Sequence, residues 1–265
     1  MASQLGYSWA EAKPRLIQKK SLLAGADMDP KLPPPEILTG PEKRRATPVT
    51  RLALKVAWDA VQSSGYPADQ LHSIFTSAIG DGLTEGKLLQ TLGTTPNHLS
   101  PVQFHNSVHN ATVGYWSIAT KAQTPATSLA AGPYSFAVGL MKAALEVCQT
   151  GAPGLLVAYD MPFTEPLNQL HPVNGIFGVA MVLSPPSNDD RIGGDMAART
   201  LSVTQMPADI TLSPCRHSGL QDMFAGNNSA AKSLPLLEAL AEPQANLISL
   251  PLSKGLALQI ELGPA

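Results

Sequence analysis

A glycine-rich turn at residues 80–82 is the first feature whose residue types could do chemistry. The sequence Gly-Asp-Gly follows an apolar run and precedes a helical pattern, which is where a dinucleotide-binding loop would stand. The full loop motif needs glycine where this chain has Glu85, and Leu88 stands where a phosphate-binding P-loop has Ser or Thr. Neither motif is complete, so the turn does not predict nucleotide binding.

Two histidines, His105 and His109, are four residues apart and could lie on one face of a helix. A zinc-protease motif requires glutamate directly after the first histidine, and this chain has Asn106 there. The histidines are therefore predicted to form hydrogen bonds within a packed turn. No metal site is predicted.

The two cysteines are too few for a disulfide framework, and neither belongs to a C-x-x-C motif. Cys148 falls near the apolar face of a helical pattern, which predicts a small buried side chain. Cys215 adjoins Arg216 and His217, and positive charge beside a thiol lowers its pKa. Two interpretations of Cys215 stay open: an inert loop thiol, or the nucleophile of a small acyltransferase or hydrolase that works with His217 or His171.

The elements that must position these residues follow from periodicity and from glycine and proline signals. Thr47 and Pro48 predict the start of a long helix that Gly65 ends. The repeated order of strand, glycine turn and helix indicates an α/β fold. Strands are predicted at 74–79, 125–130, 154–159, 176–183, 201–205, 247–252 and 256–262, and further helices at 88–92, 110–120 and 133–150. Residues 1–47 are predicted to form an N-terminal arm ahead of a domain at 48–265.

Composition narrows the class of protein. The chain has 265 residues, of which 44% are hydrophobic and 14% charged. This composition predicts a compact globular protein. A net charge of −2 without a long basic run argues against a nucleic-acid partner. No apolar stretch approaches the roughly 20 residues that cross a bilayer, and the N-terminus has no signal-peptide core. We expect no membrane span and a cytoplasmic location.

The most specific pattern lies at residues 100–139. It consists of SPVQFHNSVHNATVGYWSIAT at 100–120 and TSLAAGPYSFAVG at 127–139, and it resembles the β-ketoacyl synthases of the thiolase-like fold. In that family an asparagine-rich turn and a helix lead to a short strand at the dimer interface, and the nucleophilic cysteine follows at a strand-to-helix turn. Aligning Asn110, Gly114 and Gly139 with the family motifs places Ala131 at the cysteine position. The resemblance covers about residues 43–184.

The resemblance implies a thiolase-like layered α/β fold that is truncated in its C-terminal half, because the sequence after residue 185 is much shorter than the family's second half. It also implies that the chain has lost the catalytic activity of the family. The methyl group of Ala131 cannot act as a nucleophile, and the family's two histidine motifs, one HGTGT-like and one containing Gly-His, are not found. We expect no catalytic residue, no cofactor and no metal.

Inactive ketosynthase-like subunits occur in type II polyketide systems as chain length factors. This sequence is most similar to the short ketosynthase-like subunit of aryl polyene biosynthesis. The resemblance implies an obligate heterodimer with an active β-ketoacyl synthase, whose acyl tunnel this chain would shape during polyketide or fatty-acid-like chain elongation. It implies contact with an acyl carrier protein through that complex. Chain length factors often carry glutamine at the lost cysteine, and Ala131 departs from that pattern.

Residue roles follow from the same resemblance. Ile79, Leu83 and Gln103 are expected to line the tunnel, or else to be ordinary core and turn residues. A sheet edge at 125–130 would need another subunit to cover it. We expect Trp116→Arg or Ser128→Arg to abolish the complex without loss of helix. The expected interface set is Asn106, His109, Asn110, Tyr115, Trp116, Thr127 and Ser128.

One further alternative stays open beside the Cys215 enzyme. The chain could form a homodimeric acyl-binding or regulatory module that has no ketosynthase partner. Gene neighbourhood would separate this class from a chain length factor.

Overall fold

The computed structural model describes residues 2–3, 13, 35–186 and 199–264. Within these residues the chain forms strands β1 (Ala2–Ser3), β2 (His72–Thr76), β3 (Ala126–Leu129), β4 (Gly154–Asp160), β5 (Phe177–Leu183), β6 (Leu201–Pro207), β7 (Asn246–Pro251) and β8 (Leu256–Leu262). Its helices are α1 (Gly40–Arg45), α2 (Pro48–Ser64), α3 (Gly82–Thr94), α4 (Pro101–Ser107), α5 (Ala111–Thr120), α6 (Ser135–Thr150), α7 (Leu167–Leu170), α8 (Gln221–Ala225) and α9 (Leu234–Ala241). Short 3₁₀ turns cover Ala68–Gln70, Pro96–His98, Ser218–Leu220 and Ala230–Ser233.

The strands form two sheets. The larger has the order β1-β5-β4-β2-β3, in which β3, β2 and β4 run parallel and β5 is antiparallel to β4. The smaller is an antiparallel sheet of order β6-β8-β7. After β5 the described chain contains three strands and two short helices, so the C-terminal half is small. The predicted α/β class is confirmed.

The sheets and helices alternate in layers because neighbouring residues of a strand face opposite sides. On β2, Phe75 enters a core shared with α2 and α5, whereas Ile74 enters a core shared with α6, α9 and the second sheet. All seven residues of β4 are buried, as expected for a strand covered on both faces. The core of the molecule therefore consists of two apolar layers, one on each side of the larger sheet.

Local signals explain where α2 begins and ends. The Thr47 hydroxyl accepts a hydrogen bond from the Thr50 backbone amide at 3.3 Å, and Pro48 is the first helical residue. Gly65 ends the helix in the left-handed region with φ of 73°. The predicted boundaries of this helix are confirmed.

Two predictions fail locally. The strand predicted at 74–79 ends at Thr76, because the Ser77 hydroxyl accepts a hydrogen bond from the Gly80 amide and turns the chain. Cys148, which the sequence predicts to be buried, is exposed in the last turn of α6, while the adjacent Val147 faces the core. One residue along a helix is a rotation of about 100°, which is enough to move a side chain from core to solvent.

Gly139 lies where α6 crosses the larger sheet. A Cβ atom at this position would stand 2.4 Å from Thr76 Cγ2 and 3.1 Å from Leu156 Cδ1. We expect Gly139→Ala to lower the free energy of unfolding by about 1–3 kcal/mol through overpacking, measured by urea denaturation. A Cβ atom at Gly93 in α3 would have no neighbour within 4 Å among the described residues. Gly93→Ala is the matched control and should stabilise by up to about 1 kcal/mol; equal effects would contradict the close contact.

The predicted division at residue 47 is still a prediction, and residues 1, 4–12 and 14–34 of the predicted arm lie outside the described residues. The described end of that segment packs on the domain: Leu38 and Ala46 are buried. The polar segment 187–195, which the sequence predicts to separate the strands at 176–183 and 201–205, also lies outside the described residues. Across the part of the chain that the structure describes, no helix is long and apolar enough to span a membrane.

Candidate functional site

Ala131 stands at the turn between β3 and α6. Its backbone amide donates to Ser135 Oγ at 2.9 Å, and its carbonyl accepts from the Tyr134 amide at 3.2 Å. The turn therefore presents residue 131, half-buried, just ahead of the N-terminus of a 16-residue helix. A thiol at such a position would have its pKa lowered by the helix dipole. The alanine side chain supplies no nucleophile at this position.

The turn after β2 is tied to the Ala131 turn. Ser135 Oγ lies 3.1 Å from the Ser77 carbonyl and 2.7 Å from the Gly132 carbonyl, so these two acceptors share its one hydroxyl proton. The Ser77 carbonyl also lies 3.4 Å from His109 Nε2. The carboxyl ends of the neighbouring parallel strands β2 and β3 are thus joined by side chains at one edge of the sheet.

Asp160 ends β4 and is fully buried. Its Oδ1 accepts from Ser77 Oγ at 2.7 Å and from the Ala78 amide at 2.8 Å. Its Oδ2 accepts from the Ser229 amide and hydroxyl at 2.7 and 2.6 Å, and from the Ala230 amide at 3.1 Å. Burial raises the pKa of this carboxyl, and the donated hydrogen bonds oppose that rise. One carboxylate therefore connects the larger sheet to the C-terminal half.

His105 and His109 do not share a helical face, because α4 ends at Ser107. His105 is exposed and its ring packs edge-on to Tyr115 with centroids 6.3 Å apart. His109 Nδ1 lies 2.6 Å from Ser128 Oγ on β3. The expectation of a histidine held in a packed turn is met by His109. Among the residues with described positions, no group of three His, Cys, Asp or Glu side chains could hold a metal ion.

One side of β3 pairs with β2, and its other side forms the edge of the larger sheet. The Ser73 amide donates to the Pro125 carbonyl and the Ser77 amide to the Leu129 carbonyl, so in this parallel ladder the odd-numbered residues of β3 bond to β2. The backbone groups of Ala126 and Ser128 consequently point outward. No strand within the described ranges pairs with that side. Backbone geometry thus leaves a row of donors and acceptors open at this edge.

The expected interface residues separate into two groups. Thr127 and Ser128 are half-buried on the open strand, His109 is half-buried beside it, and Asn110 is exposed. These four lie where a second chain could reach them.

The other three expected interface residues are internal to this chain, which corrects the expectation. Trp116 is 0% exposed and donates from Nε1 to Ser73 Oγ at 3.1 Å. Tyr115 donates to Asn106 Oδ1 at 3.0 Å, and Asn106 donates to the Arg45 carbonyl at 2.9 Å. Trp116 therefore packs α5 against the larger sheet, Tyr115 joins α5 to α4, and Asn106 joins α4 to the end of α1. Trp116→Arg would therefore disrupt the core and cannot report on a partner.

The three expected tunnel residues stand on different parts of the fold, and none of them lines the groove that the structure describes. Ile79 is half-buried in the turn after β2, Leu83 is half-buried in the first turn of α3, and Gln103 is half-buried on α4. A separate open groove of about 730 Å³ is lined by Pro162, Asn168, Val173, Asn174, Gly175, Asp222, Ala225 and Gly226. The role of Ile79, Leu83 and Gln103 in a tunnel stays a prediction.

Cys215 does not have the environment that its neighbours in sequence suggest. The thiol is buried, with Sγ 3.7 Å from both the His217 carbonyl and Glu238 Oε1. Burial, aided by the Glu238 carboxylate, raises its pKa to about 11. The Arg216 guanidinium instead pairs with Glu238 and with Glu242, at 3.2 and 2.9 Å. At neutral pH this thiol is protonated, which argues against a nucleophile.

Three features of this region were missed from the sequence. Asp160 could have been found as the single charge at the end of a fully apolar strand, a position where a carboxylate needs buried donors. Phe104 on α4 is 66% exposed, and a helix of only seven residues is too short for periodicity to reveal its exposed face. The hydroxyl roles of Ser77 and Ser135 have no sequence signal of their own.

Comparison with known proteins gives a family. The family model described as β-ketoacyl synthase, N-terminal domain, matches residues 18–242. No curated protein matches the chain.

Solved structures share the fold. A chain of the ketosynthase ApeO in complex with its chain length factor ApeC, from Xenorhabdus doucetiae, is 22% identical with a TM-score of 0.62, covering 95% of this chain and 92% of that one. The ishigamide ketosynthase/chain length factor is 13% identical with a TM-score of 0.71, covering 97% and 95%. AntDE:AntF, a type II polyketide acyl-carrier protein with its ketosynthase bound to the hexaketide, is 11% identical with a TM-score of 0.66 and the same coverage. With the strand-to-helix turn and the layered sheets in place, the family match shows that this chain belongs to the β-ketoacyl synthase N-terminal domain family.

Proposed function

We propose that this chain is a non-catalytic, ketosynthase-like subunit that forms a heterodimer with an active β-ketoacyl synthase and shapes its acyl tunnel, as a chain length factor does. The observation that carries the proposal is Ala131 at the strand-to-helix turn where the family resemblance expects the nucleophilic cysteine. Acyl transfer to the enzyme needs a thiolate, and a methyl group supplies none.

The other possible nucleophiles, Cys215 and Ser135, also argue against catalysis by this chain. The buried Cys215 thiol, with its raised pKa, is a poor replacement nucleophile. Ser135 Oγ is fully engaged, because it accepts from the Ala131 amide and bonds to the Ser77 and Gly132 carbonyls. A small acyltransferase or hydrolase built on Cys215 therefore has no observation in its favour.

The surface around β3 supports a partner. The open strand offers outward backbone groups at Ala126 and Ser128. Most of the large apolar side chains that are exposed in the described residues lie close by in the chain, on α3, α4, α5 and the segments that join them: Leu89, Leu92, Leu99, Val102, Phe104, Val108 and Ile118. Exposed apolar surface and an open sheet edge are each typical of a protein interface.

The solved relatives suggest what the partner is. Two of them are complexes of a ketosynthase with a chain length factor, and a third is an acyl-carrier protein with its ketosynthase. An active ketosynthase is therefore the proposed partner, and an acyl carrier protein would meet this chain through the complex. The product class would be a polyketide, with aryl polyenes suggested by the sequence resemblance. Ile79, Leu83 and Gln103 are the proposed tunnel residues.

The experiment that tests the absence of catalysis introduces a thiol at the turn. In a Cys148→Ser background, which removes the exposed cysteine, Ala131→Cys should be alkylated by iodoacetamide at neutral pH. The background protein alone should stay unlabelled, since Cys215 is buried. Mass spectrometry reads the labelling, and a condensation assay with malonyl-loaded carrier protein should show no product from either protein or from the wild-type chain. Condensation by the wild-type chain without a ketosynthase would overturn the proposal.

A further inference from the structure

The turn at residues 77–80, which follows β2, is fixed by hydrogen bonds on its inner side. Ser77 Oγ donates to Asp160 Oδ1 at 2.7 Å, and the Ala78 amide donates to the same oxygen at 2.8 Å. Ser77 Oγ also accepts from the Gly80 amide at 2.9 Å. The half-buried Ile79 is thus carried on a turn whose two flanking residues are both anchored.

The carbonyl of Ser77 anchors the same turn to two other elements. It accepts from Ser135 Oγ at the start of α6, and His109 Nε2 lies 3.4 Å away. Gly80 adopts φ of 80°, and a Cβ there would stand 3.3 Å from His109 Cδ2. Hydrogen bonds to β4 and α6 therefore fix the backbone of the turn that carries Ile79.

We propose that Ser77, acting through Asp160, is a positioning residue that sets where Ile79 stands in the acyl tunnel, and so sets the length of the acyl chain that the complex makes. This inference rests on the proposed function. Ser77 and Asp160 are fully buried and touch no acyl chain themselves. Their effect would pass through the backbone of the turn.

The two sides of the Asp160 carboxylate supply a matched pair of variants. Ser77 Oγ donates to Oδ1 at 2.7 Å and Ser229 Oγ donates to Oδ2 at 2.6 Å, and both serines are 0% exposed. Ser77→Ala and Ser229→Ala each remove one buried hydroxyl from the same carboxylate. Only Ser77 belongs to the turn that carries Ile79, so a general loss of stability would affect both variants alike.

The test replaces the gene in cells that co-express the neighbouring ketosynthase and its biosynthetic genes, and mass spectrometry reads the lengths of the acyl products. Because small displacements in a site change how substrates react, Ser77→Ala should change the ratio of the two most abundant lengths by about two-fold or more. Ser229→Ala should leave this ratio at the wild-type value while lowering the melting temperature of the purified complex similarly.

A second variant covers the case in which Ser77→Ala gives no soluble complex. Ser77→Cys fills the space of the serine with a thiol that is a weak hydrogen-bond partner, and it should give the same shift in product length. An unchanged ratio in a Ser77 variant, or the same change in the Ser229 variant, would overturn the inference. A wild-type chain that forms no complex with the ketosynthase would refute the proposed function itself.

Discussion

Phe104→Asp will abolish the complex with the ketosynthase and leave the fold of the isolated chain intact. The Phe104 side chain is 66% exposed on α4. Asn106, two residues later, holds that helix to the domain through its hydrogen bond to the Arg45 carbonyl. An aromatic anchor at the centre of an interface typically contributes more than about 2 kcal/mol, and a carboxylate in its place adds a desolvated charge. The affinity should therefore fall by more than about a hundredfold, measured by titration calorimetry or biolayer interferometry.

Leu247→Asp provides the matched control for this substitution. Leu247 is 59% exposed on β7, in the smaller sheet and away from the open edge of β3. Both substitutions place a charge on an exposed apolar residue, so both should change the free energy of unfolding by less than about 0.5 kcal/mol. Wild-type affinity in the Phe104 variant, or equal weakening by both variants, would remove α4 from the proposed interface.

Asp160→Asn should cause a large loss of stability. The carboxylate receives five donors from Ser77, Ala78, Ser229 and Ala230. An amide in its place sets an NH₂ group against backbone amides, which leaves buried donors without an acceptor. Each such donor costs about 1–3 kcal/mol, so the free energy of unfolding should fall by about 3 kcal/mol or more.

Chemical denaturation of purified protein measures this loss. Asp222 is an exposed residue of helix α8, and Asp222→Asn should change the free energy of unfolding by less than about 0.5 kcal/mol. Near-native stability of Asp160→Asn would show that the buried network does not connect the two halves of the chain.

Long apolar segments make most of the fold predictable. The seven buried residues of β4 and the α2 boundaries at Thr47 and Gly65 are readable because each has a strong local signal. The end of β2 is not, because the Ser77 hydroxyl that accepts from the Gly80 amide and turns the chain is held in place by Asp160, a residue distant in sequence. Side-chain hydrogen bonds between remote residues carry no periodicity that a single sequence reveals.

The sequence predicts the strand-to-helix turn that carries Ala131, but it predicts the surrounding interface residues less well. The family pattern places Ala131 on a strand-to-helix turn, and the structure has such a turn there. The same pattern predicts Trp116 at an interface, yet this side chain is buried against Phe75 with ring centroids 6.1 Å apart. A motif residue can be specific to a family because it packs the motif's own helix, and sequence alone does not separate that role from contact with a partner.

The mass in solution tests the central proposal most directly. Light scattering should be measured on the purified chain of 27.9 kDa, alone and after co-expression with the ketosynthase encoded nearest to it. We expect a stable one-to-one complex whose mass is the sum of the two chains, and poor solubility of this chain alone because its β3 edge and apolar surface are uncovered. A well-behaved monomer, or a homodimer of twice that mass that ignores the ketosynthase, would contradict the account.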